Sequence, residues 1–267
     1  MKRFMYLALF TLMVLVTACG SPQAVPTDEA PASTNTPEPP TSPPLPPNTP
    51  TAEPTATPHA AATVAAQSTQ GAGEVFSELD KLLSDSEVPY KDGHLAWRQT
   101  EPIIVKMQGP SGNNVTTQGI DEKLTAGNFV FKSDVTWDAT GWMYCGAMLR
   151  SEPNIEKGKQ YKFYFLRFSG LPIWYLDVYE NGIMKYLGSI SKEQRASVID
   201  MENGAVNQFV VVAEDEKFTI YFNGERQGRF FDNSKQRTEG SFGFFAWQES
   251  GTGSCKYENS WVWSLDK

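Results

Sequence analysis

Apolar positions along the chain follow three regimes. From Phe4 to Val16 they run together, with Thr11 the one interruption. Between Gly20 and Gly71 there is no aromatic residue at all. Beyond that point periodic patterns begin. Val75, Phe76, Leu79, Leu82 and Leu83 recur at helical spacing and predict a short amphipathic helix that docks on the domain. The period then changes to two: Phe129, Phe131, Val135 and Trp137 alternate with Val130, Lys132, Asp134 and Thr136, as in a half-buried strand. The same reading predicts strands at Leu95–Thr100, Ile103–Gln108, Trp142–Arg150, Tyr161–Phe168, Ile173–Tyr179, Ile183–Leu187, Phe209–Ala213, Phe218–Phe222, Ser241–Trp247 and Lys256–Trp263. Asn181-Gly182 and Asn223-Gly224 each stand between two such runs, and Asn-Gly tolerates the positive φ angles of a hairpin turn. About eleven short strands with tight turns and one helix predict an all-β sandwich, with a barrel as the alternative.

Composition divides the chain at the same places. Thirteen of the 18 prolines lie between Pro22 and Pro58, and thirty of the 33 aromatics lie beyond Gly71. A segment without aromatics and rich in proline cannot build a core, so residues 19–71 read as a disordered Pro/Thr-rich linker and 72–267 as the folded domain. Proline favours an extended, semi-rigid spacer of at most ~3.1 Å per residue. Residues 1–18 read as a signal peptide. Lys2 and Arg3 precede an apolar run that reaches only ~20 Å, short of the ~30 Å hydrocarbon core. The run ends in Val16-Thr17-Ala18-Cys19, which resembles the bacterial lipobox. That resemblance implies cleavage before Cys19 and its lipidation, hence anchoring in membrane lipid at the extracytoplasmic face of a bacterial cell.

Charge narrows the partners. Without Lys2 and Arg3 the formal charge of −8 becomes −10, and Asp28, Glu29, Glu38 and Glu53 place four of those negatives in the linker. The acidic domain has no basic stripe and is a poor partner for nucleic acid, whose binding depends on cationic side chains. With Cys19 assigned to lipid, Cys145 and Cys255 remain as a disulfide pair in an oxidising compartment; two separate buried thiols are the alternative.

From Asn128 to Leu265 the order of segments resembles concanavalin A-like (laminin G-like) jelly rolls. The residues that carry the resemblance are Asn128–Trp137, Tyr161–Leu187, the hairpin Asn207–Gly224, Gly240-Ser-Phe-Gly-Phe-Phe-Ala246 and Tyr257-Glu-Asn259. It implies a jelly-roll β-sandwich. Bacterial lipoproteins of this plan include domains grouped with 3-keto-disaccharide hydrolases and many domains without known activity. Ser260 stands where the family carries an apolar residue, and Met143–Gly146 is unusually bulky. A fold that hosts many functions transfers no ligand.

Motifs for catalysis are scarce. Retaining glycosidases need two carboxylates about 5–5.5 Å apart. Glu214-Asp215-Glu216 falls where a hairpin turn belongs, and Asp177 has Tyr175 and Tyr179, not a second acid, at its same-face neighbours. His94 alone makes no metal cluster, because the other histidine, His59, lies in the linker. Asp134, Asp138 and Glu152 are acids available to calcium, but no run has calcium-loop spacing, so no cofactor is assigned. Aromatics are the remaining signal. Trp142, Tyr144, Tyr175, Tyr179 and Trp247 are candidates for a ligand platform, with Arg150 and Asp177 for the hydroxyls of a sugar. Packing between two sheets is the competing role for each ring. The expectation is a non-catalytic binding domain for carbohydrate or a cell-surface polymer. A glycoside-cleaving enzyme and a protein-interaction or sensor domain are the alternatives.

Overall fold

The computed structural model describes the backbone at residues 58–107, 111–168, 170–185 and 191–267; side chains are described at 70–107, 116–167, 170–185 and 191–267. The signal peptide, Cys19 and the linker as far as residue 57 lie outside the described residues. Among the described residues no helix is long and apolar enough to cross a membrane.

One helix, α1 (Pro58–Leu83), precedes fourteen strands. The first seven are β1 (His94–Arg98), β2 (Ile103–Lys106), β3 (Ser111–Gly119), β4 (Phe129–Ala139), β5 (Met143–Ser151), β6 (Gln160–Phe168) and β7 (Leu171–Glu180). Next come β8 (Ile183–Lys185), β9 (Gln194–Arg195), β10 (Val206–Glu214), β11 (Lys217–Phe222), β12 (Glu225–Phe231), β13 (Ser241–Ser250) and β14 (Gly253–Ser264). They form two seven-stranded antiparallel sheets. The first has the order β1-β14-β4-β10-β11-β12 with β2 on β14, and the second β3-β13-β5-β6-β7-β8 with β9 on β7. The chain crosses between sheets from β2 to β3, from β3 to β4, from β4 to β5, from β9 to β10, from β12 to β13 and from β13 to β14, so that late strands are inserted between early ones. This is a jelly-roll sandwich.

Period-two alternation decides what fills it. Phe129, Phe131, Trp137, Phe209, Phe218 and Phe222 from the first sheet meet Tyr161, Phe163, Phe165, Trp174 and Phe244 from the second, all essentially without solvent exposure. Phe131 packs edge-on against Phe209 and Phe242, and Phe244 stacks on Tyr257 with ring centroids 4.0 Å apart. The Cys145–Cys255 disulfide links β5 to β14 across this core, so the two cysteines join opposite sheets. Closing a loop of 110 residues stabilises by roughly 4–5 kcal/mol in the chain-entropy model.

Both Asn-Gly turns form as predicted, with positive φ at Asn181, Gly182, Asn223 and Gly224. The amphipathic helix docks through Val75, Leu79 and Leu83, but it starts at Pro58, well before Gly71. Pro58 fits the first helical position, and the alanine-rich run after it is strongly helix-forming. Three strands carry no apolar alternation and lie outside the predicted set. β3 is polar and Gly/Asn-rich, and β12 is a largely solvated edge; both end a sheet, where one side of the ladder needs no partner. β9 has only two residues.

Candidate binding face on the second sheet

The inward alternation of Cys145, Phe163, Leu176 and Phe244 turns their neighbours outward. Strand register then collects them: Trp247 lies opposite Tyr144, Tyr164 opposite Tyr175, and Lys162 opposite Asp177. Gly146 allows the cluster to close. A Cβ there would meet the Phe163 carbonyl at 2.2 Å, Tyr164 Cβ at 2.7 Å and Phe245 Cε1 at 2.8 Å, so any other residue would push Tyr164 and Phe245 off the sheet. The Gly146 amide is held from the core side, where it donates to the Tyr257 hydroxyl at 2.8 Å.

The rings make a continuous surface. Tyr144 and Trp247 have centroids 4.1 Å apart, Tyr144 and Tyr164 5.8 Å, and Tyr164 stacks on Tyr175 at 5.2 Å. Phe245 meets Tyr164 edge-on at 5.8 Å. Tyr144, Tyr164, Tyr175, Tyr179 and Phe245 form with Met148 and Ile155 an apolar cluster separate from the main core. A cavity of about 220 Å³ opens in it, walled by Tyr144, Tyr164, Tyr179, Phe245 and Trp247, with Lys162 on one side and the turn residue Gly182 at the rim.

Two polar side chains are built into this face. Lys162 is only 4% exposed, and its ammonium sits over the Tyr179 ring at 4.4 Å and the Phe245 ring at 5.2 Å. Burial lowers its pKa to about 8. Asp177 is fully buried and accepts a hydrogen bond from the Tyr164 hydroxyl at Oδ2, while Oδ1 has no hydrogen-bond partner. Burial raises its pKa, and the hydroxyls of Tyr164 and Ser191 work the other way. Burial likewise raises Tyr144 to about 12, Glu249 adding to the effect, and it raises Tyr175 beside Glu193 and Tyr179. These phenols stay neutral and able to donate hydrogen bonds at ordinary pH.

Of the residues expected at a site, Tyr144, Tyr175, Asp177, Tyr179 and Trp247 come together here. Two do not. Trp142 precedes β5, 36% exposed, and lines a different depression with Arg167, Met201 and Glu202 at the end of the sandwich. Arg150 belongs to the interior. A register shift between Ser241 and Gly243 and a positive φ at Arg150 break the alternation that would have aimed it outward. Its guanidinium packs over Phe218 and donates to the carbonyls of Gly127, Asp215 and Arg237. Lys162, Tyr164 and Phe245 are additions to the expected set, although the same alternation along β6 and β13 contains them. Glu214-Asp215-Glu216 forms the β10–β11 turn as expected. Asp134, Asp138 and Glu152 are engaged separately, with Lys132, Asn203 and Arg237 respectively, and no group of metal-ligating side chains occurs among the described residues.

Strand order and crossovers decide the fold class. It is a jelly-roll β-sandwich. The expected short N-terminal helix and sandwich are both present, the helix longer than expected. Among solved structures, the chain is similar to the carbohydrate-binding module CBM66 from Bacillus subtilis (17% identity, 58% of this chain and 98% of that one, TM-score 0.43). It is also similar to a β-glucanase from Bacillus licheniformis (10% identity, 63% and 82%, TM-score 0.43) and to a legume lectin-like domain from Entamoeba histolytica (10% identity, 62% and 90%, TM-score 0.41). No family model and no curated protein sequence matches the chain. Likenesses this distant say nothing about ligand, so function rests on the residues of the face itself.

Proposed function

We propose that the outer face of the second sheet binds carbohydrate and that the domain is a binding module. The supporting observation is the open cavity whose walls are five aromatic rings, Tyr144, Tyr164, Tyr179, Phe245 and Trp247. Sugar rings present C–H faces that stack on aromatic surfaces, and neutral tyrosine hydroxyls at the edges serve the sugar hydroxyls. The cavity wall carries one cation and no carboxylate, whereas retaining glycoside hydrolysis needs a carboxylate pair about 5–5.5 Å apart. Binding without bond cleavage is the reading this wall favours. The lipobox-like Val16–Cys19 and the Pro/Thr-rich segment support a module tethered through acylated Cys19 to the extracytoplasmic face of the membrane, reaching toward a glycan or cell-wall polymer.

The test is a glycan and cell-wall-polymer array probed with the detergent-solubilised chain, beside Tyr179→Ala and Trp247→Ala. Binding to a defined glycan that both variants lose is the expected result; an empty array across a broad panel removes the proposal. For the anchor, Cys19→Ala is expected to leave the membrane fraction. A variant that still sediments with membranes sinks the lipidation reading.

A further inference from the structure

We infer that the cavity takes a sugar bearing an anionic group, a carboxylate or a sulfate ester, with Lys162 as its counter-ion. This rests on the carbohydrate reading and narrows it to one ligand class.

The two buried lysines among the described residues stand on the outer faces of the two sheets and are treated differently. Lys132 on β4 is 5% exposed and pairs with Glu78 of α1 at 3.3 Å and with Asp134 at 3.5 Å. Lys162 on β6 is equally buried, yet among the described residues it makes no ion pair and no hydrogen bond; its ammonium faces only the Tyr179 and Phe245 rings. Asp177, directly across on β7, is bonded to Tyr164 and is not part of the cavity wall. A buried charge is costly unless it is paired, and ring faces offset only part of that cost. Because Lys162 lines the cavity, a ligand can supply the missing anion at the point where its ring meets the aromatic walls. Burial lowers the lysine pKa to about 8, which leaves it mostly protonated at neutral pH, and an arriving anion holds the proton more firmly. A neutral sugar makes the stacking contacts but leaves the ammonium unpaired; an anionic one adds a charge-assisted hydrogen bond.

Matched pairs measured by titration calorimetry test this: galacturonate, glucuronate and mannuronate trimers beside their methyl esters, and galactose 6-sulfate beside galactose. The carboxylate and sulfate arms distinguish the two sources of charge. The expected result is at least one anionic member bound roughly tenfold tighter than its neutral partner, with that difference within the pair lost in Lys162→Met. Equal binding within every pair, or an advantage that survives Lys162→Met, overturns the inference and leaves the sugar reading standing. Binding of no sugar, charged or neutral, overturns both.

A second measurement covers the case in which the variant fails to fold. In the unmodified protein the anionic advantage should shrink between about pH 7 and about pH 10, as Lys162 loses its proton. The other titratable or charged groups at this face are Tyr144 on β5, Tyr164 on β6, Tyr175, Asp177 and Tyr179 on β7, Glu249 on β13 acting on Tyr144, and Glu193 beside Tyr175. All four tyrosines are shifted upward. An advantage that does not change with pH overturns the inference.

Discussion

The two outer faces of the sandwich have similar chemistry and opposite fates. On the first sheet Val130, Val210, Val212, Trp261 and Trp263 face outward, and the chain covers them itself with Val75, Leu79 and Leu83 of α1 and with Tyr90. The helix also answers polar groups: Glu78 reaches Lys132 and accepts from Trp261 Nε1 at 3.0 Å. On the second sheet Met148, Tyr164 and Phe245 face outward with Tyr144, Tyr175 and Tyr179 beside them, and among the described residues Ile155, from the β5–β6 loop, joins them. Where the chain provides its own lid, three valines share the face with Tyr221, Trp261 and Trp263. Rings with polar edges dominate where it leaves a cavity. A sheet face that is apolar is therefore not a site in itself; what distinguishes the second one is a cluster of tyrosines and a buried lysine that makes no ion pair among the described residues.

Variants sharpen this contrast, from the largest expected effect downward. Removing the disulfide by Cys145→Ser with Cys255→Ser strikes the core shared by both faces, and chemical denaturation should show a loss of up to roughly 4–5 kcal/mol. Leu79→Ala empties a fully buried position under the lid and should cost about 3 kcal/mol while leaving glycan binding on the far face intact. Lys162→Met should stabilise by about 2 kcal/mol near neutral pH, since it replaces an unpaired buried charge with an apolar side chain of similar length. Its pH dependence has a definite sign. The folded-state pKa of about 8 lies below that of the unfolded chain, so the folded protein binds fewer protons between these values. Stability of the unmodified protein therefore rises with pH through that window, and the advantage of Lys162→Met should fade by about pH 10. Melting curves of both proteins across this range check it. Trp247→Ala should cost about 1 kcal/mol, less than Leu79→Ala, because its ring is partly exposed. It should nevertheless abolish binding that Leu79→Ala spares. A Trp247→Ala variant as unstable as Leu79→Ala would make the open face merely a second core.

Much of the fold is legible in the chain itself. Alternation along Phe129–Trp137 and the two Asn-Gly turns are local signals, and they mark the strands and hairpins directly. Tyr144, Tyr175, Tyr179 and Trp247 can be found because each sits at an outward position of an alternating strand. Arg150 is misplaced by that logic because a bulge is a tertiary event: nothing between Tyr144 and Ser151 announces that the alternation breaks. Trp142 is drawn in because an aromatic next to a strand reads as part of it, whereas the strand starts one residue later. Lys162 is invisible for a different reason. A lysine alternating with aromatics reads as a solvated position, and its burial depends on the rings of Tyr179 and Phe245 from two other strands. Pairing register, which no local pattern contains, brings those strands together.

The position of the disulfide has a mechanical consequence. The chain enters the domain through α1, which grips β14 by way of Trp261 and Trp263, while Tyr144 on β5 forms part of the cavity wall. Tension applied between the N-terminal side of the chain and anything seated in the cavity would peel one sheet from the other. Cys145 and Cys255 join those same two strands, β5 and β14, by a covalent bond. A pull of that kind meets a rivet before it meets the packing of the core, so the grip of the face can be loaded without opening the sandwich behind it.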